Sequence, residues 1–350
     1  MTWPTYAKDE VRAVVRVLRS GKVNQWGGSE VRLFEEEFAQ YVGAEYAVAF
    51  SNGSLALEAA FTCLPERDVT VPARSFVATA FSALRSGKRV HYVDVTDEGL
   101  SAHPVTCTVH LGGKVSEVPS EIEDCAQAMG ARYKLGGHVG TRSKIGVFSF
   151  CQDKILSTGG EGGMAVTSDY MAYRKLWSWK DHGKSYEKVH EKTYGSYNFC
   201  HTSIGTNARM TEIQAAIGRV QLPKVKGWVT IRLRQAAELR HALQLTTLRC
   251  PMIHPWESGY RYAAYLTRGN RDKLLRAMLK AKVPVGQGSC PEIYREQAVY
   301  SGDDRCLQAR ELGMTSVTWK TDPTLSRKEW TSIVRKSVEA VRAICSRSES

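Results

Sequence analysis

The sequence has no Cys-x-x-Cys pair and no apolar stretch long enough to cross a lipid bilayer. Its nine cysteines are an odd number and lie scattered between positions 63 and 345. The first eight residues contain no apolar core of the kind that directs export. These absences favour free thiols over a disulfide framework and predict a protein of the reducing cytoplasm, with no membrane partner. The 350 residues are 43% hydrophobic and 24% charged, which is typical of a globular chain.

Several common site motifs are also missing. The chain has no Walker phosphate loop, no Gly-x-Gly-x-x-Gly turn after a strand and no His-Glu-x-x-His pair. His182, His190 and His201 are spaced too irregularly for a metal site on one helix face, so no metal is predicted. These absences exclude the signatures of P-loop, dinucleotide-binding and zincin-type enzymes.

Positive charge is in excess, with a formal net charge of +12. Such an excess suits a nucleic-acid partner or a substrate that carries a diphosphate. No RNA-binding or helix-turn-helix signature accompanies it, so a nucleic-acid partner is not expected. Several cations gather in one region, and most of them are expected to form a solvated face. They are Arg174, Lys175, Lys180, Lys184, Lys188 and Lys192.

The most informative feature that is present is Lys154, which stands after an apolar run and just before a glycine-rich loop. Residues 145–150 are apolar and aromatic enough to predict one buried strand. A lysine that leaves a strand into a cleft can have its pKa lowered by burial or by a nearby cation, which frees the amine to attack an aldehyde. A Schiff-base lysine is usually displayed in this way, although a lone lysine is more often a solvated loop residue.

An acid and an amide lie upstream of this lysine. Asp124 ends a short predicted strand, and Gln127 follows three residues later. If a helix begins there, the two side chains share a face. A pyridoxal phosphate enzyme needs a carboxylate against the pyridine nitrogen, and an amide can donate a hydrogen bond to the ring hydroxyl. Taken alone, Asp124 is equally well explained as a helix cap.

A third segment predicts a strand at residues 46–50, a small polar turn and then a helix. Gly53 lets the backbone approach an anion, and Ser54 can cap the helix. The free N–H groups and the positive end of the helix dipole then form a phosphate cradle. The same strand, turn and helix also occur in any α/β unit.

Together these segments resemble the sugar aminotransferases of the DegT/DnrJ/EryC1/StrS family, which belong to the aspartate aminotransferase fold group of pyridoxal phosphate (PLP) enzymes. The resemblance runs nearly from end to end and is more specific than any single motif. It is carried by residues 34–43, 51–57, 72–79, 123–131, 148–163, 182–184, 205–222 and 309–313.

The resemblance implies a role for each matching residue. Lys154 would hold the cofactor as a Schiff base and later move a proton as acid and base. Asp124 would hold the pyridine nitrogen, Gln127 would face the ring hydroxyl, and Phe76 would stack on the ring. The cofactor phosphate would be bound by Gly53, Ser54, Leu55 and Ser149.

Two further implications concern the assembly and the substrate. Asn207 matches a family asparagine that reaches the phosphate from the neighbouring subunit, so the resemblance implies an obligate homodimer. His182 and Lys184 fall in a segment that borders the sugar nucleotide in relatives, and they are assigned to substrate binding.

The implied fold is α/β, the type I fold of PLP-dependent transferases. It has a mostly parallel central sheet with helices on both faces, and a smaller α+β C-terminal domain. The expected domains are residues 1–225, which bind the cofactor, and residues 226–350. The patterns predict a strand near 262–267, fraying at 346–350, and helices at 6–19, 209–222, 230–245, 271–282 and 327–344, the second of them ended by Pro223.

The implied activity is amino transfer from an amino acid, expected to be L-glutamate, to a nucleotide-linked keto sugar. The closest resemblance is to perosamine-type 4-aminotransferases, so the expected substrate is GDP-4-keto-6-deoxymannose and the product GDP-perosamine, a building block of O-antigen or polysaccharide glycans. The alternatives are a UDP- or dTDP-linked 3- or 4-keto sugar and a non-catalytic regulatory protein on the same fold. Lysine at position 154 favours amino transfer over the dehydration carried out by relatives with histidine there.

Three departures from the family pattern fall outside the cofactor residues. The link at residues 64–68 is short, and residues 114–120 stand where relatives carry a helix. The parallel sheet is therefore expected to lack one crossover helix. Asp322 takes the place of a family histidine. These changes bear on stability and substrate choice more than on the type of reaction.

Overall fold

The computed structural model describes residues 3–190, 200–288, 292–299 and 306–345, in which helices and strands alternate. Its helices are α1 Lys8–Ser20, α2 Glu30–Val42, α3 Gly53–Cys63, α4 Val77–Arg85, α5 Tyr170–Lys180, α6 Tyr186–His190, α7 Glu212–Gln221, α8 Val225–Leu243, α9 Arg271–Lys280, α10 Leu307–Thr315 and α11 Arg327–Cys345. Its strands are β1 Tyr46–Phe50, β2 Asp68–Pro72, β3 Arg89–Val93, β4 Cys107–Val109, β5 Ile122–Asp124, β6 Ile145–Ser149, β7 Gly163–Thr167, β8 Leu248–Arg249, β9 Arg261–Leu266, β10 Val285–Gly286 and β11 Ser316–Lys320. Lys192 of the basic cluster and residues 346–350, which were expected to fray, lie outside the described ranges.

Within the described residues, the central sheet has five strands in the order β1-β7-β6-β5-β4. Parallel pairs join β4 to β5 and β5 to β6, whereas β7 is antiparallel to both of its neighbours. Strands β1, β4, β5 and β6 therefore run in one direction and end at the same edge of the sheet. The parallel pair β2–β3 adjoins this sheet through hydrogen bonds between Thr70 and Thr106.

Both faces of the central sheet are covered by apolar side chains, which explains why its strands are near-continuous apolar runs. Along β1, Ala47 and Ala49 face one core, and Val48 and Phe50 face the other. This alternation follows from the two-residue period of a strand. Helix α2 packs in the first core and α3 in the second. The predicted α/β fold class, with helices on both faces, is therefore confirmed.

A second sheet is formed by residues after position 247. In the part of the chain that the structure describes, this sheet has four antiparallel strands in the order β10-β11-β9-β8. Its core contains side chains of α8, α9 and α11. This is the α+β arrangement expected of the C-terminal region. The domain boundary at residue 225 stays a prediction.

The predicted elements are present with shifted ends. The strand predicted at 145–150 ends one residue earlier, at Ser149. Helix α8 begins at Val225 rather than at position 230, because a 3-10 turn at Leu222–Lys224 leads directly into it. Pro223 lies in the first turn of that segment, where its missing N–H leaves no bond unmade. Proline therefore marks a junction between two helices here and not a long break.

The connection from β4 to β5 confirms one expected departure. Between these parallel strands the chain has only a 3-10 turn, Leu111–Gly113, and no α-helix.

None of the described helices is long and apolar enough to span a membrane.

Candidate active site

Three of the predicted segments meet at one edge of the central sheet. Asp124 is the last residue of β5, Gly53 begins α3 shortly after β1, and Lys154 follows soon after β6. Strands β1, β5 and β6 all end at this edge. The crevice beyond the carboxyl ends of the strands is where α/β sheets bind their ligands. The topology thus brings these residues to the place where a cofactor site is expected.

Asp124 is almost completely buried, with 5% of its surface exposed. One carboxylate oxygen accepts a hydrogen bond from the Thr79 hydroxyl at 2.8 Å, and the other accepts from the Ala126 N–H at 3.1 Å. Burial raises the pKa of Asp124, and these hydrogen bonds only partly offset that effect. A cation placed beside the carboxylate, such as a protonated pyridine nitrogen, would favour its charged form.

Gln127 lies in a turn, so the helix considered after Asp124 is not formed. The reason is local: the Asp124 side chain accepts the Ala126 N–H, which sets a turn in place of a first helical bond. The Gln127 Oε1 accepts from the Gly112 N–H at 2.8 Å. Gln127 also lines a narrow cavity of about 50 Å³, together with Gly112 and Arg261.

Gly53 and Ser149 form a tight cradle at the N-terminus of α3. A Cβ atom added to Gly53 would lie only 2.7 Å from the Ser149 Cβ and 3.1 Å from its Oγ. Asn52 is the N-cap, since its side chain accepts from the Leu55 N–H at 2.9 Å, and the predicted cap Ser54 is instead exposed. Small residues, a hydroxyl and a helix N-terminus together suit a phosphate group.

Gly53→Ala is expected to weaken PLP binding at least about tenfold, because the added methyl group forces Ser149 or the backbone to move, at a cost of about 1–3 kcal/mol. The dissociation constant can be measured by fluorescence titration and the stability by denaturant unfolding of the cofactor-free protein. The matched control is Gly227→Ala in α8, where no atom lies within 4 Å of the added Cβ. The control should leave PLP binding unchanged. Wild-type affinity in Gly53→Ala would contradict the cradle.

Lys154 is mostly buried, with 16% of its side chain exposed. Its Nζ lies 3.7 Å from the Asp153 carboxylate and 5.3 Å from the centroid of the Tyr260 ring. Burial lowers the pKa of Lys154, but Tyr260 and Asp153 outweigh it, so that the pKa is raised. The lowered pKa predicted from the sequence is therefore wrong, because Tyr260 and the Asp153 carboxylate lie beside the lysine and favour its charged form.

Phe76 lies at the start of α4, the helix that carries Thr79. It is the N-cap residue of α4, one turn before Thr79, and 57% of its surface is exposed. An exposed aromatic ring near a buried carboxylate offers an apolar face to a planar ligand. Its stacking role stays a prediction.

Asn207, His182 and Lys184 lie together on paired segments of the same chain. The backbone of Asn207 bridges to Asp181, and the His182 N–H donates to the Thr206 carbonyl at 3.0 Å. The Lys184 Nζ lies 3.3 Å from the Asp181 carboxylate. The roles of these three side chains stay predictions.

Sequence reasoning missed four residues of the site: Thr79, Asp153, Tyr260 and Arg261. Thr79 orients Asp124, as described above. Tyr260 and Arg261 both donate to Asp153, although they lie more than a hundred residues further along the chain. No local sequence pattern predicts hydrogen bonds between residues so far apart in the chain. The only available signal was the acidic residue directly before the lysine.

A buried group of possible metal ligands, His110, Glu123 and Cys125, lies next to Asp124. Both Glu123 oxygens are already engaged, by His110, Tyr133 and the backbone N–H groups of the loop before β6. Burial would raise the pKa of Glu123, but the hydrogen bond and charge of His110 help to lower it to about 2. The group therefore anchors the loop that leads into β6.

Comparisons with known proteins agree with this geometry. The family model of the DegT/DnrJ/EryC1/StrS aminotransferase family matches residues 4–336. UDP-N-acetyl-3-dehydro-alpha-D-glucosamine 3-aminotransferase of Acidithiobacillus ferrooxidans is 34% identical over 235 residues, which cover 60% of this chain and 60% of that protein. GDP-perosamine synthase of Escherichia coli O157:H7 is 33% identical over 239 residues, which cover 61% and 62%. The X-ray structure of an aminotransferase from Psychrobacter cryohalolentis has a TM-score of 0.89 and 33% identity, with 100% of both chains covered.

The fold and the site together define a PLP-dependent aminotransferase of the type I fold. The chain belongs to the DegT/DnrJ/EryC1/StrS aminotransferase family. This confirms the predicted family, enzyme class and cofactor. The residues fit the cofactor, since a buried carboxylate, a cradle that a Cβ would fill and a buried lysine lie at one edge of the sheet.

Proposed function

We propose that this enzyme transfers the amino group of L-glutamate to GDP-4-keto-6-deoxymannose and forms GDP-perosamine. Amino transfer is supported by one observation: Lys154, Asp124 and the Gly53–Ser149 cradle lie at the same edge of the sheet. The GDP sugar is supported by the likeness to GDP-perosamine synthase. The likeness to a UDP-sugar 3-aminotransferase supports the alternative, a UDP- or dTDP-linked 3- or 4-keto sugar.

Bound PLP supplies an aldehyde that accepts the amino group and a ring that withdraws electrons from the substrate carbon. The Lys154 amine would hold the cofactor covalently, and after its release Nζ would move a proton between substrate and cofactor. The Asp124 carboxylate would keep a proton on the ring nitrogen, held in place by Thr79. Gln127 would bind the ring hydroxyl, and Phe76 would cover the ring.

The cofactor phosphate would be held by the N-terminal turn of α3, from Gly53 to Leu55, and by Ser149. Ser54 is exposed there and so can donate to a ligand. Beside Lys154 lies a cleft of about 480 Å³. Its lining includes four cations and two carboxylates, which suits an anionic substrate such as a nucleotide diphosphate sugar. The charged residues are Arg232, Arg261, Lys282, Lys320, Asp153 and Asp322.

The substrate can be identified by assaying the enzyme with a panel of keto sugars linked to GDP, UDP and dTDP. The PLP-loaded enzyme is first reacted with glutamate and freed of 2-oxoglutarate, and each sugar is then added separately. The proposal predicts amination of the GDP-4-keto sugar at the highest kcat/KM, with the product identified by mass spectrometry and NMR. A higher kcat/KM with a UDP or dTDP sugar would replace the GDP substrate by the alternative.

We further propose a homodimer in which Asn207 of one subunit reaches the cofactor phosphate of the other. The exposure of Asn207 supports this arrangement, since an exposed side chain is available to a neighbouring subunit. His182 and Lys184 lie on the segment that pairs with residues 201–207 and would contact the sugar nucleotide. We also propose a cytoplasmic location, because the described cysteines at positions 63, 107, 125, 151, 200, 250 and 306 form no disulfide bond.

A mixture of two inactive variants tests the shared site. Lys154→Ala and Asn207→Ala homodimers should each be nearly inactive. After unfolding and refolding together in equal amounts, a hybrid dimer regains one intact site, because its Lys154 and Asn207 come from different chains. About a quarter of wild-type activity should return, given random pairing in a two-fold dimer. If no activity returns although hybrids form, Asn207 does not act across the interface.

A further inference from the structure

Asp153 lies next to Lys154 in space as well as in sequence, and both of its carboxylate oxygens are held. Its Oδ1 is 3.7 Å from the Lys154 Nζ. Its Oδ2 accepts a hydrogen bond from the Tyr260 hydroxyl at 2.7 Å and another from the Arg261 guanidinium at 2.7 Å. The carboxylate therefore connects the lysine to the start of β9.

The Tyr260 ring completes the arrangement around the lysine. The Lys154 Nζ lies 5.3 Å from the ring centroid, and the Arg261 Cζ lies 5.0 Å from it. Tyr260 is only 2% exposed, so packing fixes its position. An aromatic face attracts a cation. The ammonium group is thus held between a carboxylate and a ring.

Other charged groups face this cluster from neighbouring elements. Asp124 approaches from the end of β5 and favours the charged lysine. Arg232 on α8 and Asp322 after β11 line the adjacent cleft, and the exposed Lys282 and Lys320 lie on its rim. These five groups are the same in every variant described below. A difference among those variants therefore reports on Asp153 and Arg261.

We propose that Asp153 is a positioning residue that keeps the Lys154 amine charged and next to Tyr260 whenever the amine is not bound to cofactor, and that Arg261 limits this effect by sharing the carboxylate. The inference rests on the proposed role of Lys154 in holding PLP. A charged amine can donate a proton, but only the neutral amine attacks an aldehyde. The balance between Asp153 and Arg261 therefore sets the pH at which Lys154 becomes reactive.

Two substitutions are expected to act in opposite directions. Asp153→Asn removes the negative charge and leaves Arg261 unopposed, so the pH midpoint of Lys154 reactivity should fall by about one unit or more. Arg261→Met removes the positive charge and leaves the whole Asp153 carboxylate to the lysine, so the midpoint should rise. General damage to the cleft would instead expose the lysine in both variants and shift both midpoints toward that of a free lysine.

The experiment is labelling of the full chain, freed of cofactor, with acetic anhydride across a pH series. Mass spectrometry of peptides gives the reactivity of Lys154, with the exposed Lys273 as an internal reference. Asp97→Asn is the matched control, since it removes a carboxylate from an exposed pair with Arg249. It should leave the Lys154 midpoint where it is in the wild type.

Opposite shifts in Asp153→Asn and Arg261→Met, with no shift in the control, would support the inference. Shifts of both variants in the same direction, or no shift in either, would overturn it. Circular dichroism verifies that each variant is folded. The labelling needs no cofactor, so failure of the proposed function is seen separately, as a wild-type chain that does not bind PLP.

Discussion

Lys154→Ala is expected to lower kcat for amino transfer by about 10⁴-fold or more. The substitution removes the covalent hold on the cofactor and also the acid–base group, and the latter alone contributes about 10²–10⁴-fold. Borohydride reduction followed by mass spectrometry should fix PLP to the wild-type chain at this residue and leave the variant unmodified. Asp153 keeps its bonds to Tyr260 and Arg261 in the variant, so the fold should be retained.

The control for this prediction is Lys273→Ala, a substitution of an exposed lysine in α9. It should leave kcat and the covalent attachment of PLP unchanged. Attachment of PLP to another lysine in the wild type, or substantial activity in Lys154→Ala, would contradict the assignment of Lys154.

Asp124→Asn is expected to lower kcat by about 10²–10³-fold, which is the usual loss when one preorganised electrostatic partner is removed. Asparagine has nearly the same shape. Its Oδ1 can accept from the Ala126 N–H and its Nδ2 can donate to the Thr79 hydroxyl, so PLP should bind. It carries no charge, however, and cannot keep a proton on the ring nitrogen. Steady-state kinetics and PLP titration on the same preparation separate the two effects. A variant with a near-normal kcat would remove Asp124 from the mechanism.

The same substitution should not destabilise the cofactor-free protein at neutral pH. The pKa of Asp124 is raised by burial in the folded state. Stability from such a group is fully present below the pKa of the unfolded chain and is lost as the pH rises through the folded pKa. At neutral pH the asparagine variant avoids that loss, so it should be at least as stable as the wild type in denaturant unfolding. Asp97→Asn, at an exposed pair, is the control for both readouts.

The sequence was most informative where the signal is local. The apolar runs that form β1 and β6 predicted strands with buried faces, and the glycine at position 53 predicted a close approach. The structure adds the partner of that approach, since a Cβ atom added to Gly53 would lie only 2.7 Å from the Ser149 Cβ. The sheet topology explains why these residues meet. Strands β1, β5 and β6 run in one direction, so Gly53, Asp124 and Lys154, which lie at or after their ends, come to the same edge of the sheet.

Other features had no local signal. The bonds from Tyr260 and Arg261 to Asp153 connect distant parts of the chain. Tyr260 and Asp153 raise the pKa of Lys154, against the expected direction. The helix considered at Gln127 depended on propensity, which the hydrogen bond from Ala126 to Asp124 overrides. The roles of Asn207, His182 and Lys184 stay predictions, and the role proposed for Asn207 requires a second subunit, which a single chain does not contain.

The most direct test of the account is the half-reaction with an amino donor. PLP-loaded wild-type protein is mixed with L-glutamate, and the visible absorbance of the cofactor is followed while 2-oxoglutarate is quantified. The account predicts that the absorbance is lost as one equivalent of 2-oxoglutarate forms for each bound cofactor, in Lys273→Ala as in the wild type but not in Lys154→Ala. A PLP-loaded wild-type protein that neither changes its spectrum nor forms 2-oxoglutarate would contradict glutamate as the donor, and the same result with every amino acid tried would contradict amino transfer itself.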